Sequence, residues 1–371
     1  EELLLIRLAT LIRQSGHRVE ILVLGHCRPE LLAELDDAGI TVYYRRGGYG
    51  YAGSWRLLRQ LADGGGFDVV HAHLFPALYL AALARGAARR GTKWVYTEHS
   101  TTNRRRSSRL FRSLERGIYC RFDEIVCVSV AVADSLRAWL GDGPPLRVVH
   151  NGIDVQAYAA SPAASRVEYD LPAGAVIVLA LGRLRPEKNQ VKLVEALPHL
   201  PADYHLLLAG DGPERAALER RIRDLGVTHR VHLLGAVGEV APLLKMADAL
   251  ALVSLFEGFG LSALEAVAAG IPLVYSDTPE LREIFAAYGV ATCAEDAAAI
   301  AAEHFGATTG ARYSVTAGEG FHLIQMDDDG TAFECLVSAN SNRLDALAHA
   351  LTAGPAAEWE ALQVSSGVAR L

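Results

Sequence analysis

Cysteine is scarce in this chain. Its five cysteines (27, 120, 127, 293 and 335) are odd in number and form no CxxC pair. That spacing excludes a disulfide framework and a cysteine-built zinc site, and the residues read as reduced thiols of a cytoplasmic protein. Long hydrophobic runs are also missing. No stretch approaches the ~18 uncharged apolar residues that a membrane-spanning helix needs. An excess of basic charge is absent too: with a net charge of −7 there is no electrostatic case for nucleic-acid binding. The chain opens on Glu1 in what reads as mid-helix, so no leader peptide can be assessed.

What is present suits soluble, globular domains. Apolar residues make up 51% and charged residues 21% of the 371, a length that suggests roughly two domains. Glu1 to Gln14 has the apolar spacing of a mostly buried helix, ended by Ser15-Gly16. Short apolar strands are predicted at Val19–Leu24, Thr41–Tyr44, Asp68–His71, Trp94–Thr97, Ile125–Val128 and Arg147–Val149, with helical stretches between most of them. Such alternation argues for a parallel sheet covered on both faces. Turn chemistry at His150-Asn-Gly-Ile-Asp154 and an Ala/Ser/Pro-rich stretch from Ala159 to Ala175 mark a boundary, giving domains 1–155 and 156–371. The rhythm restarts at Ala175–Leu181, His205–Ala209, Arg230–Leu234, Ala249–Val253 and Pro272–Tyr275. Two doubly wound units in tandem predict a ligand cleft at the carboxyl ends of their strands. Near the C-terminus, Ala311–Gln325 and Thr331–Ala339 read as two strands of a hairpin and Asn342–Ala353 as a helix.

The stretch Ser254-Leu-Phe-Glu-Gly-Phe-Gly-Leu-Ser-Ala-Leu-Glu-Ala-Val-Ala-Ala-Gly270 carries the densest chemistry. A strand feeds a glycine-rich turn and then a helix from Ser262, aiming backbone N–H groups and a helix dipole at one point, which suits a phosphate. Glu257 and Glu265 flank that point, and carboxylates accept hydrogen bonds from sugar hydroxyls. Amides for phosphate beside carboxylates for hydroxyls suit a nucleotide sugar. Ser262-x-x-Glu265 also fits a capping box, the plain structural reading, which leaves Glu257 unexplained.

Further upstream, Leu181-Gly-Arg-Leu-Arg-Pro-Glu-Lys-Asn189 places Gly182 in a tight turn and Arg183 and Lys188 on a loop, where two cations could neutralise a diphosphate or simply be solvated. Ala209-Gly-Asp-Gly-Pro-Glu214 reads as a turn with a helix starting at Pro213, and Gly210 as a candidate ligand contact. The backbone of Gly235-Ala-Val237 could face a nucleobase.

In this order, Gly182-Arg183 with Lys188-Asn189, Gly210-Asp-Gly-Pro213 and Glu257-Gly-Phe-Gly-Leu-Ser-x-x-Glu265-Ala resemble glycosyltransferase family 4. Gly16-His17-x-Val19, Val70-His-Ala-His73 and Asn151-Gly-Ile-Asp154 also resemble that family, and the likeness spans roughly residues 1 to 290. It implies the GT-B fold, two Rossmann-like doubly wound domains facing each other across a cleft. It further implies a retaining, metal-independent transfer of a hexose from a nucleoside diphosphate sugar, the co-substrate, with no cofactor. The acceptor would be a glycan or a lipid-linked one, in polysaccharide synthesis at the cell surface. By the same likeness Arg183 and Lys188 hold the diphosphate, Glu257 contacts the donor sugar and Glu265 binds the ribose hydroxyls. The amides of Phe259, Gly260 and Leu261 cover the phosphates and sugar, with Gly182, Gly210 and Val237 as further donor contacts.

His99 in Tyr96-Thr-Glu-His-Ser100 reads as structural on its own, and the resemblance moves it next to the donor sugar; His71 and His73 read as structural. Arg104–Arg106, Arg109, Arg112, Arg116 and Arg121, with Glu115 and Asp123 as nearby counter-charges, form either a solvated helix face or a patch for an anionic acceptor or an acidic membrane surface. Asp327-Asp-Asp329 matches a metal-binding DxD but reads as a hairpin turn.

The sequence departs from the family at its start, where members carry a strand and a glycine-rich loop ahead of the first helix. Either this is a piece of a longer chain or that part of the site is lost. Residues 306–340 also do not resemble the usual helical end. Two other readings therefore stand beside the transferase: a non-catalytic nucleotide-sugar-binding or scaffold protein, and a sugar-nucleotide epimerase.

Overall fold

The computed structural model describes residues 2–25, 27–44, 50–64, 66–85, 91–102, 106, 109–286 and 289–292, and three strands between 313 and 335. The chain divides into two compact units, passing from the first to the second at Val149/His150, with Ser129–Ala131 grouped with the second.

The first unit begins with α1 (Glu2–Gln14), β1 (Glu20–Leu22), α2 (Pro29–Asp37) and β2 (Thr41–Tyr43), and β1 and β2 pair in parallel. α1 is less buried than its composition suggests. Ile6 and Ala9 are buried against Leu31, Leu35 and Ile40, and most of its other apolar side chains are half-covered. Gly16, at φ 90°, ends the helix as its sequence predicts. There follow α3 (Gly50–Gly64), β3 (Val69–His73), α4 (Ala77–Ala84), β4 (Lys93–Glu98), α5 (Arg109–Tyr119), β5 (Glu124–Cys127), α6 (Val130–Leu140) and β6 (Leu146–Val148). Strands β3-β4-β5-β6 form one parallel sheet in chain order.

The second unit runs α7 (Val155–Ala159), β7 (Val176–Leu181), α8 (Gln190–Ala196), β8 (Tyr204–Ala209), α9 (Arg215–Asp224), β9 (Val231–Gly235), α10 (Ala241–Met246), β10 (Ala249–Leu252), α11 (Leu261–Ala269), β11 (Leu273–Ser276), α12 (Pro279–Phe285) and β12 (Gly289–Thr292). Its six strands lie in the order β12-β11-β10-β7-β8-β9, and the pairings are parallel. Counted from β7, this is the doubly wound order 3-2-1-4-5-6 read from the other edge. The chain reverses direction across the sheet between β7 and β10, the switch point at which such sheets bind ligands. The strands are nearly uniform apolar runs because helices cover both faces. Tyr204, Leu206 and Leu208 pack with Val178, Ala180, Leu193, Leu218 and Ile222 in one core.

Two sequence expectations change here. The α9 helix starts at Arg215 with Glu214 at its cap, so Pro213 lies in the preceding turn. The C-terminal hairpin has three strands: β13 (Tyr313–Gly318), β14 (Phe321–Met326) and β15 (Ala332–Cys335), in antiparallel pairs. The single long strand expected at 311–325 is thus two strands, with Tyr313–Gly318 pairing antiparallel to Phe321–Met326. Asp327–Asp329, the predicted helix at 342–353, Arg104 and Arg105 lie outside the described residues.

Candidate functional site at the switch point

The strands of this parallel sheet share one carboxyl end, and the loops that leave β7, β8 and β10 there carry most of the predicted donor residues. Gly182 follows β7 at φ 145° and Gly210 follows β8 at φ 151°. A Cβ on Gly210 would lie 1.9 Å from the Gly182 carbonyl oxygen, so glycine is required for the two strand ends to approach this closely. Amide bonds lace the loops together: Gly182 donates to Ala209 (3.0 Å), Gly210 to Gly235 (2.7 Å) and Leu184 to Asp211 (3.1 Å).

Across the switch point the β7 and β10 loops are joined by an ion pair. Lys188 Nζ lies 2.5 Å from Glu257 Oε1, with the two side chains 25% and 12% exposed. Ser254 Oγ, on a fully buried residue, donates to the same oxygen at 2.7 Å. The Leu255 amide donates to the Glu187 carbonyl at 2.8 Å, a second clip between the loops. Arg183 is exposed, and its carbonyl accepts from Gln190 Nε2 at 3.1 Å. Among the described residues no group of three or more His, Cys, Asp or Glu side chains is arranged to hold a metal ion.

The loop then enters α11. Gly260 takes the cap position in the left-handed region (φ 81°), and no side chain caps the helix. The capping box that Ser262 and Glu265 could form is therefore absent, because the cap falls at Gly260, two residues before Ser262, and puts Ser262 inside the first turn. Glu265 is engaged elsewhere: Tyr158 of α7 donates its hydroxyl to Glu265 Oε1 at 2.9 Å. The amides of Phe259, Gly260 and Leu261 precede or open α11 and have no acceptor further back in that helix. Phe259 is buried, with its ring 5.7 Å from that of His150. Val237 is half-buried on the loop after β9.

The structure thus brings Lys188 and Glu257 into contact across the switch point, with Arg183 exposed on the β7 loop and Glu265 held by Tyr158 in the helix that the β10 loop enters. Sequence reasoning missed Tyr158 and the buried Glu280, whose Oε1 accepts the Glu257 amide at 2.6 Å. Nothing local marks either one, since the partners stand 107 and 23 residues apart.

His99 belongs to the first unit, just past β4, and β3 brings a partner to it. His73 Nδ1 lies 3.2 Å from His99 Nε2, and the His71 and His73 rings lie 4.0 Å apart, tilted by 39°. His71 Nε2 bonds Thr97 Oγ1 at 2.7 Å. Burial, then the neighbouring His99, lowers the His71 pKa to about 3, and burial, then His71 and His99, lowers that of His73 as well. At neutral pH both folded and unfolded forms of these histidines are uncharged. Below the unfolded value of about 6.5 only the unfolded chain takes up their protons, so stability falls with pH across the window from about 6.5 towards 3. We expect a loss on the order of 1 kcal/mol per pH unit for each such histidine. Melting midpoints measured from pH 7 to 5 check this: the decline should be shallower in His71→Gln, and equal slopes would contradict it.

The basic run near α5 divides in two. The Arg106 side chain is only 7% exposed and pairs with Glu98 at 3.0 Å, and Tyr119 donates to the same carboxylate at 2.5 Å. Glu115 is buried as well, accepting from Tyr79 (3.1 Å) and Trp139 (2.8 Å), so it is no surface counter-charge. Arg112 and Arg116 remain on the exposed face beside Phe111 and Leu114, which are 44% and 52% exposed. Among the described residues no helix is long and apolar enough to cross a membrane.

Comparison with known proteins agrees with this architecture. Residues 2–157 match the family model described as Glycosyltransferase Family 4, and residues 163–304 the model described as Glycosyl transferases group 1. The chain is 30% identical over 296 residues to phosphatidyl-myo-inositol mannosyltransferase of Mycolicibacterium smegmatis, covering 76% of this chain and 73% of that one. It is 33% identical over 254 residues to glycogen synthase of Mycobacterium tuberculosis, covering 63% of this chain and only 58% of that relative's length. Among solved structures, HepE of Anabaena in complex with UDP and glucose superposes with a TM-score of 0.72 at 21% identity, over 98% of this chain and 95% of that one. The fold is GT-B.

Proposed function

This chain belongs to glycosyltransferase family 4, and from that premise we propose that it is a retaining hexosyltransferase. Its donor is a nucleoside diphosphate sugar and its acceptor an oligosaccharide or lipid-linked glycan of the cell surface. The observation that carries the reading is the Lys188–Glu257 pair across the switch point, beside the opening of α11. In the transfer, the bond between the anomeric carbon and the diphosphate oxygen breaks and its electron pair leaves with the diphosphate. A bond to the acceptor hydroxyl forms on the same face, and the hydroxyl proton is released. Negative charge grows on the departing diphosphate, so fixed cations and amides at that point stabilise the transition state more than the ground state. Lys188 has three N–H donors, of which Glu257 uses one, and the ammonium can also serve a phosphate oxygen. Glu257 faces the sugar hydroxyls and Glu265, steadied by Tyr158, the ribose.

HepE was solved with UDP and glucose, which makes uridine donors the first to try. Arg183 and Lys188 supply the positive charge that the diphosphate requires, so we expect turnover to persist in EDTA. For His99, held by His73, a donor-sugar contact rests on the resemblance of its sequence motif alone. The exposed Arg112, Arg116, Phe111 and Leu114 support our reading of a peripheral contact with an acidic membrane surface, the contact a cytoplasmic enzyme would make with the membrane's inner face.

The test is nucleoside diphosphate release from UDP-glucose, GDP-mannose and ADP-glucose, with the anomeric configuration of the product read by NMR. Release from one donor with retained configuration is expected. Conversion of a donor into another sugar nucleotide without release would instead identify an epimerase. Glu265→Ala should raise the dissociation constant for the matching diphosphate by about 10- to 100-fold, the loss of a hydrogen bond to a charged group. An unchanged titration would remove Glu265 from the ribose site.

A further inference from the structure

We propose that Glu280 is a positioning residue for the transfer. Through α12 it holds the Glu257-Gly-Phe-Gly260 loop at the height where Glu257 meets Lys188. The proposal rests on the reading of Glu257 as a donor contact.

Glu280 is 4% exposed, although an ionisable side chain in the first turn of a surface helix can reach water. A buried carboxylate is costly unless it is hydrogen-bonded. Its Oε1 accepts the main-chain N–H of Glu257 at 2.6 Å, a short, charge-assisted bond to a segment 23 residues upstream. A helix-dipole role alone would be served by a side chain pointing outward and would need no such partner. The next residues of the same helix support the other end of the loop. A Cβ on Gly260 would lie 2.6 Å from Leu281 Cδ2 and 3.2 Å from Phe285 Cε2, both fully buried. The α12 helix thus fixes the loop at both ends, by Glu280 at Glu257 and by Leu281 and Phe285 under Gly260. Ser276, at the end of β11, completes the frame by donating to the Ser254 carbonyl at 2.6 Å. With the Glu257 main chain pinned, its carboxylate can accept from Lys188 and Ser254 at one oxygen without searching. A shift of about 1 Å at such a group can cost about 10²-fold in rate.

Only an acceptor is needed at position 280, so the amide oxygen of Glu280→Gln can replace the carboxylate. Glu280→Leu removes the acceptor, and Glu280→Asp withdraws it by one methylene. Hydrogen exchange of peptides covering 254–262 reads the positioning without any donor. Exchange should be faster in Glu280→Leu and Glu280→Asp and near wild type in Glu280→Gln. If Glu280→Leu does not fold, the Asp and Gln pair decides. In turnover of UDP-glucose, GDP-mannose or ADP-glucose, the Asp and Leu variants should lose about 10²-fold in kcat, with KM nearly unchanged and recovery in Gln. Glu257→Ala is the control for the underlying reading. If Glu257→Ala is active, that reading fails whatever Glu280 does. If the loop exchanges at the wild-type rate in both Glu280→Asp and Glu280→Leu, or if Gln behaves like Leu, the positioning role is overturned.

Discussion

Lys188→Ala should lower turnover by about 10²–10³, while the matching nucleoside diphosphate still binds. Breaking the sugar–diphosphate bond concentrates negative charge on the leaving oxygen, and the Lys188 ammonium is already fixed near the α11 opening by its 2.5 Å contact with Glu257. A pre-placed cation in a partly shielded site costs no reorganisation as the charge develops. Removing it also leaves the Glu257 carboxylate without its ammonium partner, an unbalanced negative charge near the leaving group that acts in the same direction. Lys188→Arg should recover only part of the rate, because a planar guanidinium does not reproduce a compact ammonium at this spacing. Single-turnover diphosphate release separates chemistry from binding. Wild-type rates in Lys188→Ala would remove Lys188 from the leaving-group site.

The second large effect concerns stability. Gly210→Ala should destabilise the second unit by roughly 3–5 kcal/mol, combining left-handed strain with a main-chain clash. The added methyl would stand 1.9 Å from the Gly182 oxygen and 2.7 Å from its carbonyl carbon, with Arg183 N at 3.5 Å. No rotamer relieves a backbone collision, so β7 and β8 must separate at their carboxyl ends. That is a large part of the roughly 5–15 kcal/mol by which domains are stable. Gly174→Ala is the control, as its Cβ would meet nothing within 4 Å. Denaturant midpoints of the two variants measure the difference. Equal midpoints would mean that the strand ends tolerate separation and that Gly210 is not the reason for their approach.

Much of the second unit was legible because buried parallel strands are continuous apolar runs. Val176–Leu181 and Tyr204–Ala209 need no tertiary information to be seen as strands. The glycines that follow them also announce tight strand-end turns. β12 was missed because Gly289-Val-Ala-Thr292 is only four residues long, opens on glycine and holds one large apolar side chain, Val290. The capping-box pattern misled because Ser262-x-x-Glu265 has the right spacing, while Gly260, free to adopt φ 81°, starts the helix earlier. In the candidate site, the loop residues could be named from their own segments, but their supports could not. Tyr158 reaches Glu265 from a helix 107 residues upstream, and Glu280 looks like an ordinary first-turn acid until β11 and α12 fold beneath the loop. His73 and His99 meet only because β3 and β4 are neighbours in register, His73 lying opposite Thr97. Such pairs are products of topology, and a strand-by-strand reading sees only one partner at a time.

On our reading the β7–β10 switch point binds a nucleoside diphosphate through Glu265 and the α11 opening. Thermal melting of wild type and Glu265→Ala with UDP, GDP and ADP tests it most directly. At a hundred times its dissociation constant, one of the three should stabilise the wild type by about 2.7 kcal/mol, and the shift should largely vanish in Glu265→Ala. A midpoint unmoved by all three nucleotides, or an undiminished shift in the variant, would contradict the claim.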